Sequence, residues 1–256
     1  MKKLSSFYLA FVFVVLYAPI FYLIFYAFNQ AGDMNHFTGF TTEHFKNMLA
    51  DSRLMLILSQ TFLLAFLSSL IATIIGTFGA IYIHGKKTRQ QNQLLSLNNI
   101  LMVAPDVMIG ASFLILFTFL KMDLGFWTVL FSHVAFSIPI VVLMVLPRLK
   151  EMNQDMVSAA YDLGATPWQM LKEIMLPYLT PAIIAGYFMA FTYSLDDFAV
   201  TFFVTGNGYF NLSVEIYSRA RQGISLEINA LSALVFLFSI LLVVGYYFIT
   251  REKEVD

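Results

Sequence analysis

The sequence predicts an all-α membrane protein with six transmembrane helices, and three observations support this fold class. Hydrophobic residues make up 59% of the 256 positions, and charged residues make up only 12%, about half the share that is usual in soluble domains. Six stretches are long and apolar enough to cross roughly 30 Å of hydrocarbon. All six are expected to be helices, because a lone open strand cannot pair its backbone groups in lipid.

The six predicted spans differ in the polar residues that they contain. The first, second and sixth are uncharged, whereas the third contains Asp106, the fourth His133, and the fifth Asp196 and Asp197. The first is expected to be a retained helix, because its apolar run is longer than that of a signal peptide. The predicted spans cover residues 6–28, 54–83, 98–120, 126–147, 178–205 and 228–250.

The distribution of Lys and Arg predicts that both termini lie in the cytoplasm. With the N-terminus inside, the inner segments hold ten of the 15 basic residues and the outer loops hold five, as the positive-inside rule requires. The six helices are expected to form one membrane domain over residues 1–256. The loop over residues 206–227 shows helical spacing of its apolar residues, which indicates a short surface helix.

A polar segment before the fifth span, residues 151–177, predicts two short helices joined by a tight turn. It contains the run SAAYDLGATPWQMLKEIMLP. Gly164 can end the first helix in a left-handed conformation. Thr166 can cap the second helix, and Pro167 suits its first turn. The orientation of the spans places this segment in the cytoplasm, where an adjoining pair of alanines leaves a face that another protein can approach closely.

This segment resembles the cytoplasmic coupling loop of ABC-transporter importer permeases. The family pattern is Glu-Ala-Ala, three residues, Gly, nine residues and Ile-x-Leu-Pro, and the spacing matches throughout. Ser158 stands at the position of the family's Glu, so no ion pair is expected there. The resemblance implies that the loop docks in a groove of a separate ATPase subunit. The residues that it assigns to coupling are Ser158, Ala159, Ala160, Gly164, Ile174, Leu176 and Pro177.

The sequence contains no nucleotide-binding or catalytic motif. The run HGKKT at residues 84–88 lacks the Gly and the Ser/Thr of a phosphate-binding loop, and HExxH and Cys are absent. We therefore expect a transport subunit rather than an enzyme, with no cofactor or metal of its own and with ATP bound by partner subunits. The alternative class is an autonomous secondary transporter, which the lack of inverted-repeat signals disfavours.

Acidic residues inside the predicted spans are candidate substrate ligands, because charges in hydrocarbon are costly and usually functional. Tyr193, Asp197 and Thr201 are four residues apart and would share one helix face. Carboxylates and aromatic rings suit a cation that carries methylenes. The alternative is that one or both acids at 196–197 cap a broken helix or meet solvent. For His133, a hydrogen bond between helices is favoured over a ligand role. The predicted substrate path comprises Asp106, Tyr193, Asp196, Asp197 and Thr201.

Two further runs, SLDDFAVTFFVTG and EIYSRARQGISLEINAL, resemble the permeases of spermidine/putrescine importers, in particular the second of their two non-identical permease subunits. This resemblance implies a bacterial inner-membrane assembly of two permeases, a pair of ATPase subunits and an extracytoplasmic polyamine-binding protein. Related importers for ferric iron, thiamine or sulfate share the coupling-loop pattern. The pattern therefore indicates the kind of transporter and leaves its cargo open.

Overall fold

The computed structural model describes residues 2–223 and 226–252, which are largely helical and contain no strand beyond one isolated bridge between Asn29 and Phe40. The chain divides into two compact units, Met1–Leu56 with Glu215–Asp256 and Ile57–Val214. The helices in chain order are α1 (Lys2–Tyr26), α2 (Glu43–Ala50), α3 (Ser52–His84), α4 (Thr88–Val103), α5 (Asp106–Phe119), α6 (Phe126–Glu151), α7 (Gln154–Asp162), α8 (Pro167–Gln169), a π-helical turn (Met170–Met175), α9 (Leu176–Asp196), α10 (Ala199–Val204), α11 (Leu212–Gln222) and α12 (Leu226–Glu252).

Several of these helices can cross a membrane by length and composition. Helices α3 and α6 contain the second and fourth predicted spans, and α1 covers most of the first. Helix α12 contains the sixth, although the side chains after Leu241 are not among those that the structure describes. The count of six spans stays a prediction. Four helical segments are each long and apolar enough to cross a membrane without a second helix: Ser6–Tyr26, Ser52–His84, Phe126–Glu151 and Pro167–Asp196.

The third predicted span, residues 98–120, is not one straight helix. Helices α4 and α5 are bent by 101° relative to each other. The break lies at Ala104 and Pro105, whose ψ angles of 137° and 133° are extended. The cause is local, because a proline ring disfavours helical geometry at the preceding residue and removes a backbone N–H. Asp106 is therefore the first residue of a new helix.

The fifth predicted span, residues 178–205, is also broken. Helix α9 ends at Asp196, the backbone of Asp197 is extended with φ −63° and ψ 121°, and α10 begins at Ala199. One continuous helix face across this region, as the sequence spacing predicts, is therefore not formed. The surface helix expected in the following loop is present as α11.

Helix α6 lies at the centre of the second unit. Buried apolar side chains of its first half, such as Val129 and Phe136, pack with α5 and α10, and those of its second half, such as Val141 and Val145, pack with α3 and α9. Gly110 of α5 faces the backbone of α10 so closely that a Cβ there would lie 3.1 Å from the carbonyl oxygen of Ala199. These contacts bring the two helix breaks together.

In the first unit, Arg219 of α11 joins a cluster of acids. Its guanidinium lies 2.8 Å from the carboxylates of Asp51 and Glu215 and 3.5 Å from that of Glu227. Arg53 also pairs with Glu215 at 3.1 Å. The hydrogen bond from Arg219 holds the pKa of the Asp51 carboxyl below its ordinary value. Ion pairs therefore connect residues of the first unit that are distant in sequence.

Candidate functional site

Two exposed acids stand at the two helix breaks of the second unit. Asp106 is the first residue of α5, and Asp196 is the last residue of α9. The hydroxyl of Tyr193, one turn before Asp196, donates to Oδ1 of Asp106 at 3.0 Å. Neither carboxylate has an ion-pair partner within the described part of the chain. The surface at the breaks therefore carries two negative charges that the described residues leave unneutralised.

Aromatic rings border this acidic surface. Tyr193 is 39% exposed, and the ring of Phe136 from α6 meets it edge-on, with centroids 5.0 Å apart. An acid and a partly exposed ring side by side suit an organic cation, because the carboxylate supplies charge and the ring face adds cation–π attraction. Three of the five residues predicted for the substrate path, Asp106, Tyr193 and Asp196, are thus accessible at one place.

The other two predicted path residues, Asp197 and Thr201, lie inside the protein. The Asp197 side chain is 7% exposed. Its carboxylate accepts hydrogen bonds from the backbone N–H groups of Val200 at 3.2 Å and Thr201 at 2.8 Å, and from the Thr201 hydroxyl at 2.7 Å. These contacts favour the alternative in which Asp197 caps a broken helix, because they satisfy the first N–H groups of α10.

The buried imidazole of His133 makes the helix–helix hydrogen bonds that the sequence favoured, so this interpretation is confirmed. Nδ1 lies 2.7 Å from the Ser194 hydroxyl, and Nε2 lies 2.9 Å from the Thr201 hydroxyl. Sequence reasoning missed Ser68 and Asn211, which complete the same network. Their signal was weak, because a Ser in an apolar helix, such as Ser68, commonly bonds to its own backbone, and an Asn just before a helix, such as Asn211, commonly caps it.

The segment of residues 151–177 forms a helical hairpin with the predicted turn. Gly164 ends α7 with φ +84°, a conformation that a side chain disfavours. The hydroxyl of Thr166 accepts from the backbone N–H of Gln169 at 3.3 Å, and the Gln169 side chain accepts from the backbone N–H of Thr166 at 2.8 Å. This reciprocal cap begins α8 with Pro167 at its first position. The expectations for Gly164, Thr166 and Pro167 are confirmed.

The helical hairpin has a small core of its own and an exposed apolar turn. Ala160 is 8% exposed and packs with Met152 and Met170. In contrast, Leu163 is 90% exposed and Trp168 is 66% exposed; large apolar side chains grouped on a surface mark interaction sites. Of the remaining residues predicted for coupling, the exposed ones are Ser158, Ala159, Gly164 and Pro177, and the half-buried ones are Ile174 and Leu176.

The hairpin continues into α9 through a π-helical turn. The π-helical turn Met170–Met175 ends shortly before Pro177, and Pro181 lies inside α9. A proline lacks the N–H group of an α-helical hydrogen bond, and one turn with a wider hydrogen-bond pattern accommodates that loss. A continuous helical connection therefore leads from the exposed turn of the hairpin to the break at Asp196.

The chain is similar over nearly its full length to characterised permeases. It is 36% identical over 242 residues to the spermidine/putrescine transport system permease protein PotC of Escherichia coli (strain K12), covering 94% of this chain and 92% of that protein. It is 34% identical over 256 residues to PotC of Haemophilus influenzae, covering 98% and 100%. It is 33% identical over 250 residues to the putrescine transport system permease protein PotI of Escherichia coli (strain K12), covering 94% and 89%.

Solved ABC transporters share the fold. A bacterial transporter that imports the acidic polysaccharide alginate aligns with a TM-score of 0.72 at 16% identity, covering 98% of both chains. The MetNI methionine transporter in an inward-facing conformation aligns with a TM-score of 0.63 at 17% identity, covering 78% of this chain and 98% of that one. The family described as binding-protein-dependent transport system inner membrane component matches residues 72–251. The chain therefore belongs to this family, and it is a permease subunit of an ABC transporter rather than an enzyme.

Proposed function

We propose that this permease subunit carries polyamines, with spermidine and putrescine as the expected cargo, inward across the bacterial inner membrane. The observation that carries the proposal is the exposed group of Asp106, Tyr193 and Asp196, which joins two carboxylates and a ring at two helix breaks. Polyamines are multiply protonated at neutral pH, because amine pKa values lie near 10. Relatives that are similar over nearly the full length are named for the same cargo.

The breaks themselves support a pathway at this place. Inside a membrane, backbone that is not helical is tolerated only where protein covers it or where it lines a water-filled cavity. The Asp197 side chain is buried, whereas the neighbouring Asp196 and the first residue of α5, Asp106, are exposed, as expected where a break borders a water-filled cavity. In the proposal, the two exposed acids bind ammonium groups, and Tyr193 contacts the methylenes between them. Asp197 and Thr201 hold the break in place.

Energy comes, in the proposal, from partner ATPase subunits that bind ATP and dock on the helical hairpin of residues 151–177. Leu163 and Trp168 are the apolar contacts expected at that interface, because both protrude into solvent from the turn. Ala160 is buried under the turn and supports it. A mechanical signal from the hairpin would reach the cargo site through α9, which runs from the hairpin to Asp196.

Two further partners complete the proposed transporter. A second, non-identical permease subunit supplies the other wall of the pathway, and an extracytoplasmic binding protein delivers the cargo. One structural relative was solved in complex with a periplasmic protein that holds an alginate pentasaccharide. Both termini lie in the cytoplasm in this proposal, which rests on the excess of Lys and Arg in the segments that this orientation places inside.

The test is uptake of labelled spermidine in a bacterial strain that lacks this gene and every other polyamine importer. We expect the wild-type chain to restore uptake. Asp106→Asn and Asp196→Asn should each raise KM by about ten- to a hundredfold, as expected for a lost hydrogen bond to a charged group. Asp123→Asn is the matched control, because Asp123 is an exposed acid in the loop between α5 and α6, and it should leave KM unchanged.

Two results would contradict the proposal. If the wild-type chain, produced together with its partner subunits, restores no spermidine or putrescine uptake, the cargo is not a polyamine. If the wild-type chain transports spermidine but both Asn variants match Asp123→Asn, the cargo does not bind the acids at the breaks.

A further inference from the structure

A buried chain of hydrogen bonds crosses the second unit beneath the acidic surface. The Ser68 hydroxyl of α3 lies 2.9 Å from the Ser194 hydroxyl of α9, and the Ser194 hydroxyl lies 2.7 Å from Nδ1 of His133 on α6. On the other side of the ring, Nε2 lies 2.9 Å from the Thr201 hydroxyl and 3.4 Å from Oδ2 of Asp197. Ser68, His133, Ser194 and Thr201 are all 0% exposed.

The donors of this network identify the imidazole nitrogen that carries the proton facing the break. The Thr201 hydroxyl donates to Asp197, so its oxygen accepts from its two remaining neighbours, Nδ2 of Asn211 at 3.2 Å and Nε2 of His133. Nε2 therefore bears a hydrogen. This hydrogen faces the Thr201 and Asp197 oxygens. His133 on α6 therefore supplies a donor to the break between α9 and α10. The other hydrogen bonds of Asp197 come from Val200, Thr201 and Asn211.

The opposite side of the ring adapts to either protonation state. A neutral ring accepts at Nδ1 from Ser194, which accepts in turn from Ser68. A protonated ring donates at Nδ1 to Ser194, which donates to Ser68, and Ser68 then donates to the carbonyl oxygen of Ala65 at 3.2 Å. The donor at Nε2 is the same in both states, so the contact with Asp197 persists while the serines reorient.

The same imidazole also contacts the aromatic side of the acidic surface. Its ring lies 4.8 Å from that of Phe136, and Phe136 meets Tyr193 at 5.0 Å. Tyr193 in turn donates to Asp106. His133 therefore contacts the helix break next to Asp196 directly. It is also linked through the Phe136 ring to Tyr193, which donates to Asp106.

From this arrangement we infer that His133 is a positioning residue for the cargo site. It touches no cargo; its Nε2–H donates to the Thr201 hydroxyl at 2.9 Å and lies 3.4 Å from the Asp197 carboxylate. These contacts hold the break between α9 and α10, and that break sets where Asp196 and Tyr193 present their polar atoms. Groups that bind a ligand depend on supporting hydrogen bonds for their geometry, and a fully paired buried polar network is rigid. This inference rests on the proposed function, because it names a determinant of affinity for that cargo.

The test compares two amides at position 133. A Gln side chain places its amide near the position of Nε2 and keeps the donor to Thr201 and Asp197, whereas a shorter Asn places its amide near Nδ1 and keeps only the contact with Ser194. Ser137→Ala is the matched control, because Ser137 lies one turn further along α6, is 0% exposed and has a hydroxyl without a hydrogen-bond partner in the described residues.

Spermidine uptake is measured as KM and Vmax, each normalised to the amount of subunit in the membrane. We expect His133→Gln and Ser137→Ala to keep KM near the wild-type value. His133→Asn should raise KM by about fivefold or more, because losing a buried donor leaves its acceptor without a partner, while Vmax per subunit changes little. A role in folding alone would lower the membrane amount of the His133 variants and leave their KM unchanged.

The outcomes separate the two proposals. Wild-type KM in His133→Asn, or failure of that variant to accumulate in the membrane, would overturn the positioning role and leave polyamine transport standing. An equal rise of KM in the Gln and Asn variants would also overturn it, because the Nε2 donor would then not be the group that matters. If the wild-type chain shows no uptake, the proposed function itself fails.

Discussion

Replacing Gly110 by Ala tests whether close approach of α5 and α10 sets the geometry of the two helix breaks. A Cβ at this position would lie 2.8 Å from Cδ2 of Phe203 and 3.1 Å from both the Ala199 carbonyl oxygen and the Val200 Cα. The Phe203 ring can rotate away. The α10 backbone has less freedom, because Asp197 caps its first N–H groups.

The expected loss of stability follows from these distances. Overpacking a close helix contact costs about 1–3 kcal/mol. The exchange of Gly for Ala also favours the helix by up to about 1 kcal/mol, so a control with the same exchange is needed. Gly79→Ala on α3 supplies it, because a Cβ there would meet only Val142 at 3.8 Å, an ordinary contact distance. The difference between the two variants isolates the overpacking.

The assay is thermal unfolding of the detergent-purified subunit with its partners, at one fixed heating rate. About 1–3 kcal/mol corresponds to a Tm lower by roughly 2–12 °C for a chain of this size. Gly110→Ala should therefore unfold below Gly79→Ala by that margin and should also raise KM for uptake, since α5 begins at Asp106. Equal Tm values for the two variants would refute the close contact between α5 and α10.

Two further predictions concern the helical hairpin and the ion cluster. Gly164→Pro should leave the subunit in the membrane but abolish uptake, because proline cannot adopt the observed φ of +84°; normal uptake, with ATPase still bound, would contradict docking through this turn. Arg219→Gln should lower Tm at neutral pH. The lowered pKa of Asp51 means that its ion pair stabilises the fold above the ordinary pKa of about 4 and is lost as pH falls through the lowered value. The Tm deficit of Arg219→Gln should therefore shrink below about pH 4, and an undiminished deficit there would contradict this account.

Local patterns in the sequence were sufficient for much of this structure. The long apolar runs specify helices α3 and α6, because a helix pairs every backbone group without help from distant residues. The turn of the helical hairpin could be predicted equally well, because the conformational preference of Gly164 and the cap of Thr166 involve only a few neighbouring residues. The break at Pro105 had a local signal too, but the apolar run around it outweighed that signal in the prediction of a straight span.

Which of the acidic residues are exposed and which are buried could be decided only from the tertiary structure. Asp196 and Asp197 are adjacent and chemically identical, and spacing alone placed Asp197 and Thr201 on the substrate path. Both contact His133, which lies 68 residues before Thr201 along the chain. The exposed pair of Asp106 and Tyr193 likewise joins residues 87 positions apart. Local sequence was therefore enough to predict most of the helices and the turn at Gly164. Only the packing of α5, α6, α9 and α10 decided which carboxylates face outward, because burial and hydrogen bonding of a side chain depend on neighbours that local sequence does not specify.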